Sequence, residues 1–148
     1  MQIKIIRYLQ FITLAFLFGC GSGKEMIQIT LECDENANGG NAVVVTLYQL
    51  TSADKFRLLN FEALIKTPEI SLGSDLVINS KFERTMVPGE TLDSNELEIK
   101  NGAVFLGVIA DFHSPAPEDW KYLIPLNKDI DKLIISVHEN SIAVQKAD

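Results

Sequence analysis

The stretch Cys33 to Ala42, CDENANGGNA, is the first place in the chain whose residues could hold something. Asp34, Asn36 and Asn38, followed by Gly39, repeat the alternating oxygen donors and glycine bend of the first half of a calcium loop. The second half breaks the pattern, because Val45 stands where the bidentate carboxylate belongs and Ala42 where a further oxygen is usual. Losing that carboxylate removes two oxygens and a charge, so no metal site is expected. What remains is recognition. Asp34 and Glu35 offer anionic acceptors to Arg or Lys, and Gly39 and Gly40, set among Asn36, Asn38 and Asn41, let backbone groups approach a partner closely. A solvated connection with no partner is the plainer reading, and the residues alone leave both open.

Elsewhere the chain is poor in chemistry. Its two histidines, His113 in a proline-bordered loop and His138 late in the chain, lie in no nucleophile or zinc motif, and a lone histidine is more often a structural residue than a base or ligand. No triad, phosphate-binding glycine loop or basic aromatic patch is present, so no cofactor is expected and catalysis is the weaker class of explanation. Glu83, Glu90, Glu96 and Glu98 fall where solvated strand faces and turns put charges. Trp120 could stack a sugar, but beside YLIPL it reads as core.

Composition places these residues in one domain: 148 residues, 47% hydrophobic, with a formal charge of −7. Acidity of this order argues against nucleic acid and against adhesion of the folded part to anionic lipid. The first nineteen residues differ in kind. Lys4 and Arg7 precede YLQFITLAFLF, an apolar run too short for a permanent span but right for a secretory leader. It ends in Leu17-Phe18-Gly19-Cys20, which resembles a bacterial lipobox with Phe18 bulkier than usual, and so predicts cleavage after residue 19 and acylation of Cys20. Cleavage leaves 11 basic against 20 acidic side chains. The expectation is a signal peptide (1–19), a lipidated flexible stem (20–25) that lets the domain stand off the membrane, and a folded domain (26–148). Gly21 and Ser22 after the cysteine, by resemblance to enterobacterial sorting rules, favour the outer membrane. With Cys20 acylated, Cys33 has no disulfide partner and is expected to be a buried, inert thiol on the face of Ile27, Ile29 and Leu31.

The elements that position these residues are mostly strands. MIQITLEC (26–33) alternates apolar and polar residues, and AVVVTLYQL (42–50) is rich in β-branched ones. Between residues 51 and 76 the period changes: Phe56, Leu59, Leu64 and Ile65 recur at helical spacing, Asp54 and Asn60 are available caps, and Pro68 interrupts. KFERTMV, a PGE turn and NELEIK follow. Asn101-Gly102 is the strongest hairpin signal, and AVFLGVIADF (103–112) must be a central strand covered on both faces or by helix on one. WKYLIPL and a closing hairpin about Asn140, KLIISVHE with SIAVQ, complete eight strands and a helical insertion, an all-β sandwich.

VVVTLYQL, FEALIKTPEISLGSDL, MVPGE, VFLGVIADF and WKYLIPL, in that order and spacing, resemble the TssJ (SciN) family of type VI secretion outer-membrane lipoproteins across essentially the whole mature chain. The resemblance implies a transthyretin-like sandwich with added helices, tethered through Cys20 to the inner leaflet of the outer membrane and facing the periplasm. It further implies a scaffold of the secretion membrane complex, with the loop between the first two strands docking on the periplasmic domain of TssM. Family loops commonly carry Asn-Pro-Asp and Gly-Arg near this place, whereas this one reads Asp34-Glu35-Asn36-Ala37-Asn38-Gly39-Gly40-Asn41. The alternative reading is a periplasmic small-ligand or carbohydrate-binding lipoprotein that uses Trp120 and His113.

Overall fold

The computed structural model describes residues 24–126 and 129–147; the predicted leader and the predicted acylation site Cys20 lie outside them. Eight strands form two four-stranded sheets: β1 (Met26–Cys33), β2 (Val43–Leu50), β3 (Phe82–Met86), β4 (Thr91–Glu98), β5 (Phe105–Asp111), β6 (Lys121–Pro125), β7 (Lys132–Val137) and β8 (Ile142–Ala147). One sheet has the order β4-β1-β7-β8 and the other β3-β2-β5-β6. Every pairing is antiparallel except β1 with β7. All odd-numbered strands therefore run toward one end of the sandwich and all even-numbered strands away from it.

The alternation read from the sequence is observed in β1 except at Thr30, which is buried as well. Ile27, Ile29, Leu31 and Cys33 are buried with Leu133, Ile135 and Val137 of β7 against Val43, Val45 and Leu47 of the facing sheet. Such a core stabilises the fold chiefly by removing apolar surface from water, at about 25 cal/mol per Å2. Opposite Thr30, one extra residue of β4 makes a bulge, since Ile29 pairs with Asn95 but Leu31 with Leu92.

The helical insertion covers the outer face of the second sheet with three short helices, α1 (Asp54–Leu58), α2 (Phe61–Lys66) and α3 (Pro68–Leu72). Asn60 caps α2 by accepting from the Ala63 N–H at 2.9 Å, and Pro68 opens α3 at a first-turn position where a missing N–H costs nothing. Asp54 is not a cap: it lies in the first turn of α1, and its own N–H bonds the Ser52 hydroxyl. Phe56 reaches down to β5, where Gly107 makes room for it. A Cβ built on Gly107 would lie 2.5 Å from the Phe56 ring. This is the helix-covered face that the apolar run of β5 requires.

Asn101-Gly102 departs from expectation. It does turn the chain tightly, with Gly102 at φ 85° and the Ala103 N–H bonded to Lys100 O. The strands it joins belong to different sheets, so it is a crossover and not a hairpin. Buried Gln49 explains this: its amide donates to Glu98 O at 2.8 Å and accepts from the Lys100 N–H at 2.7 Å, taking the backbone groups a hairpin partner would have satisfied. The closing hairpin about Asn140 is present as read.

Replacing Gly107 by Ala should drive the new methyl into the Phe56 ring and lower stability by about 1–3 kcal/mol, measured by urea unfolding. The same substitution made with Phe56→Leu should cost less than the two single changes added together.

Candidate functional site

Strand direction gathers four connections at one end of the sandwich, the tip: Asp34–Ala42, Val87–Glu90, the loop from Phe112 to Trp120, and His138–Ser141. They are bonded to one another. The Gly89 N–H reaches Asp34 O, joining the second to the first; the Asn38 N–H bonds Glu139 O, joining the first to the fourth; the Ala116 N–H bonds Asn140 O, joining the third to the fourth.

Asn38 is the centre of this arrangement. Its backbone is left-handed, φ 49°, as are Gly39 and Gly40 after it, a conformation that asparagine and glycine adopt at least cost. The turn points its amide inward, and the residue is 8% exposed. Its Nδ2 donates to Ala42 O at 2.8 Å, closing the loop; its Oδ1 accepts from the His113 N–H at 2.7 Å; its own N–H donates to Glu139 O at 2.8 Å. One residue, through its side chain and its backbone N–H, thus ties three connections together. Of the residues singled out in sequence, Asp34, Glu35, Asn36, Gly39, Gly40 and Asn41 are exposed along the loop. Asn38 is the one turned inward, where it shapes the loop instead of meeting solvent.

Asp34 is held by His138, whose Nδ1 lies 2.8 Å from the carboxylate. This is a histidine–carboxylate pair, yet among the described residues no hydroxyl or thiol is hydrogen-bonded to either histidine. Cys33 beside it is buried, and burial first, then the charges of Asp34 and Glu90, push its thiol pKa up, away from the thiolate form a nucleophile needs. A cleft of ≈ 230 Å3 opens between Asn38, Gly39, Asn41, His113, Glu139 and Asn140. That is room for one side chain of a partner and less than small-molecule sites usually offer. Each of the four connections brings carboxylate, from Asp34, Glu35, Glu90, Glu118, Asp119 and Glu139, and none contains lysine or arginine.

Trp120 is not a stacking platform. It is 5% exposed, with its ring edge-on to Phe61 at 5.0 Å, so the carbohydrate reading loses the aromatic it depended on. Its neighbour Lys121 has a role the sequence did not suggest. The ammonium donates to the carbonyls of Phe56, Arg57 and Leu59, between 2.7 and 3.0 Å, and so fastens the end of α1 to the sheet. Burial pushes its pKa below the ordinary lysine range. A polar or charged residue within an apolar strand, Gln49 or Lys121, was the available signal.

Fold and tip together define an eight-stranded sandwich that presents a braced set of loops at one end, opposite the start of β1. A family model described as type VI secretion lipoprotein, VasD, EvfM, TssJ matches residues 25–145. The chain belongs to that family. Among solved structures, it is similar to the type VI lipoprotein TssJ1 from Pseudomonas aeruginosa, at 21% identity over 84% of this chain and 98% of that one, TM-score 0.76. It is also similar to Serratia marcescens Lip, described as a membrane-bound component of the type VI secretion system, at 17% identity over 84% and 99%, TM-score 0.74. A chain from a structure of the TssM C-terminal domain from EAEC matches at 20% identity over 82% and 98%, TM-score 0.68. Comparison with curated proteins gives no match.

Asn38→Ala should remove both side-chain bonds and place a Cβ-bearing residue without polar compensation in a left-handed conformation. The expected cost is about 1–3 kcal/mol in chemical unfolding, with faster hydrogen exchange at the His113 amide. An unchanged exchange rate there would show that Asn38 does not hold the tip together.

Proposed function

We propose that this chain is a scaffold lipoprotein of the type VI secretion membrane complex, acylated on Cys20, seated on the periplasmic face of the outer membrane, and bound through its tip to the periplasmic domain of TssM. The carrying observation is the separation of the two ends. The stem enters β1 at Met26, and the loop leaves it after Cys33, eight residues on, a span of about 26 Å at 3.3 Å per residue. A lipid at one end and a partner at the other do not compete for surface.

The braced tip suits the role. A loop already fixed by Asn38 loses little conformational freedom on docking, which keeps more of the contact energy as affinity. Exposed Glu35, Asn36 and Asn41 would meet the partner, with Asp34 held in place by His138. No helix among the described residues is long and apolar enough to cross a membrane; in this reading attachment is through the acyl chains, several of which hold far more firmly than one. Family membership and the likeness to a chain of a type VI membrane complex structure support the assignment.

Two measurements test it. Glu35→Arg combined with Asn36→Arg should weaken binding to the TssM periplasmic domain by about tenfold or more in calorimetry while leaving the melting temperature unchanged; undiminished affinity would mean that the tip is the wrong surface. Cys20→Ser should move the protein from the membrane fraction to the soluble periplasmic fraction.

A further inference from the structure

We propose that the end of the sandwich opposite the tip is a second interaction surface, which rests on the phospholipid bilayer that receives the acyl chains of Cys20. The proposal builds on the acylation of Cys20 and adds a contact between the folded body and lipid.

Reach is the first observation. Gly21, Ser22 and Gly23 alone separate Cys20 from Lys24, about 14 Å at full extension. Lys24 belongs to the folded body: its ammonium pairs with Glu98 at 3.1 Å, and the carbonyl of Glu25 accepts from the Ile99 N–H. A cysteine whose acyl chains lie in the bilayer therefore holds this end within the depth of the headgroup layer and its first hydration shells.

The second observation is what this end displays. Met26 at 42%, Val104 at 47% and Ile78 at 82% are exposed large apolar side chains. Met26 opens β1; the Val104 N–H bonds Leu50 O at the end of β2; Ile78 sits on the turn that the Val77 N–H and the Ser80 hydroxyl fasten to Gln49. Lys24, Lys81 and Lys100 stand among them. Apolar side chains interleaved with lysines, whose stems lie along apolar surface while the ammonium meets phosphate, are the composition of an interfacial membrane contact.

Charge is the third. The domain's net charge predicts repulsion from anionic lipid, but that charge is concentrated at the tip, where no lysine or arginine offsets it. At the stem end lysines stand among the carboxylates: Lys24 and Lys100 flank Glu98, Lys81 pairs with Glu83 at 2.7 Å, and Lys132 follows Asp129 and Asp131. Glu98 is shared by Lys24 and Lys100, both at 3.1 Å, which leaves that trio cationic. With a screening length of about 8 Å and the tip about 26 Å away, the membrane meets the end whose carboxylates have lysine partners and not the tip, whose connections have none. The body is thereby held upright with its tip presented to the periplasm.

The test uses the acylated full-length protein on vesicles of phosphatidylethanolamine and phosphatidylglycerol. A nitroxide is placed by Ile78→Cys or by Asn140→Cys, each in a Cys33→Ser background. The label at 78 should lose collisions with a water-soluble nickel chelate and gain collisions with oxygen, while the label at 140 stays aqueous. Hydrogen exchange of the unlabelled acylated chain gives an independent measure: amides at 77–81 and 100–104 should slow on vesicles relative to Cys20→Ser protein in buffer, and those at 35–41 should not. Acylated Cys20, verified by mass spectrometry, together with an aqueous label at 78 and unchanged exchange would overturn the body–lipid contact alone. Cys20 without acyl groups would overturn the anchoring reading and this proposal with it.

Discussion

Because β1 is hydrogen-bonded along both edges, antiparallel to β4 and parallel to β7, its direction cannot change without breaking two ladders. Its inward face, from Ile27 to Cys33, adds a second restraint: a slip of one residue would take Ile27, Ile29, Leu31 and Cys33 out of the core and bring exposed Gln28 and Glu32 inward. Register and direction are thus fixed together by core packing. Everything at the two ends follows from that. The residue that enters β1 defines the stem end, the residue that leaves it defines the tip, and strand alternation assigns each remaining connection to one or the other.

Three polar side chains complete what the ladders leave open. Gln49 serves the crossover between sheets, Lys121 the carbonyls at the end of α1, and Asn38 the meeting of the first tip connection with the loop that carries His113. Each lies where a backbone segment passes the sandwich edge without a strand partner. A net contribution of about 1 kcal/mol per hydrogen bond is modest, but the cost of leaving such groups buried and unpaired is larger. These residues therefore act more by excluding other arrangements than by adding stability.

How far these features were legible in the sequence depends on the range of the interaction behind them. The alternation of β1, the β-branched run of β2 and the doubly apolar β5 are local consequences of burial, and they were readable. So was the Asn60 cap, a contact across three residues. The Asn101-Gly102 turn was read correctly as a turn and incorrectly as a hairpin, because its local geometry is the same in either case. The difference is made by Gln49, about fifty positions away in sequence. In sequence, Asn38 stands out for its oxygen, in a pattern shared with calcium loops. The left-handed turn that aims that oxygen at His113 is foreshadowed by the two glycines that follow, but its partner, seventy-five residues distant, is not.

Net charge shows the same limit more sharply. A chain with this excess of carboxylates is acidic wherever its charges are placed, and composition treats them as one sum. The fold sorts them, since carboxylates in all four odd-to-even connections share an end, while lysines at strand starts and ends on the opposite side share the other. For a free soluble domain this sorting would change little. For a domain tethered at one end, as proposed above, it would decide which face a membrane meets and which is offered to a partner, because strand direction, set by apolar packing in β1, also sets where the carboxylates gather.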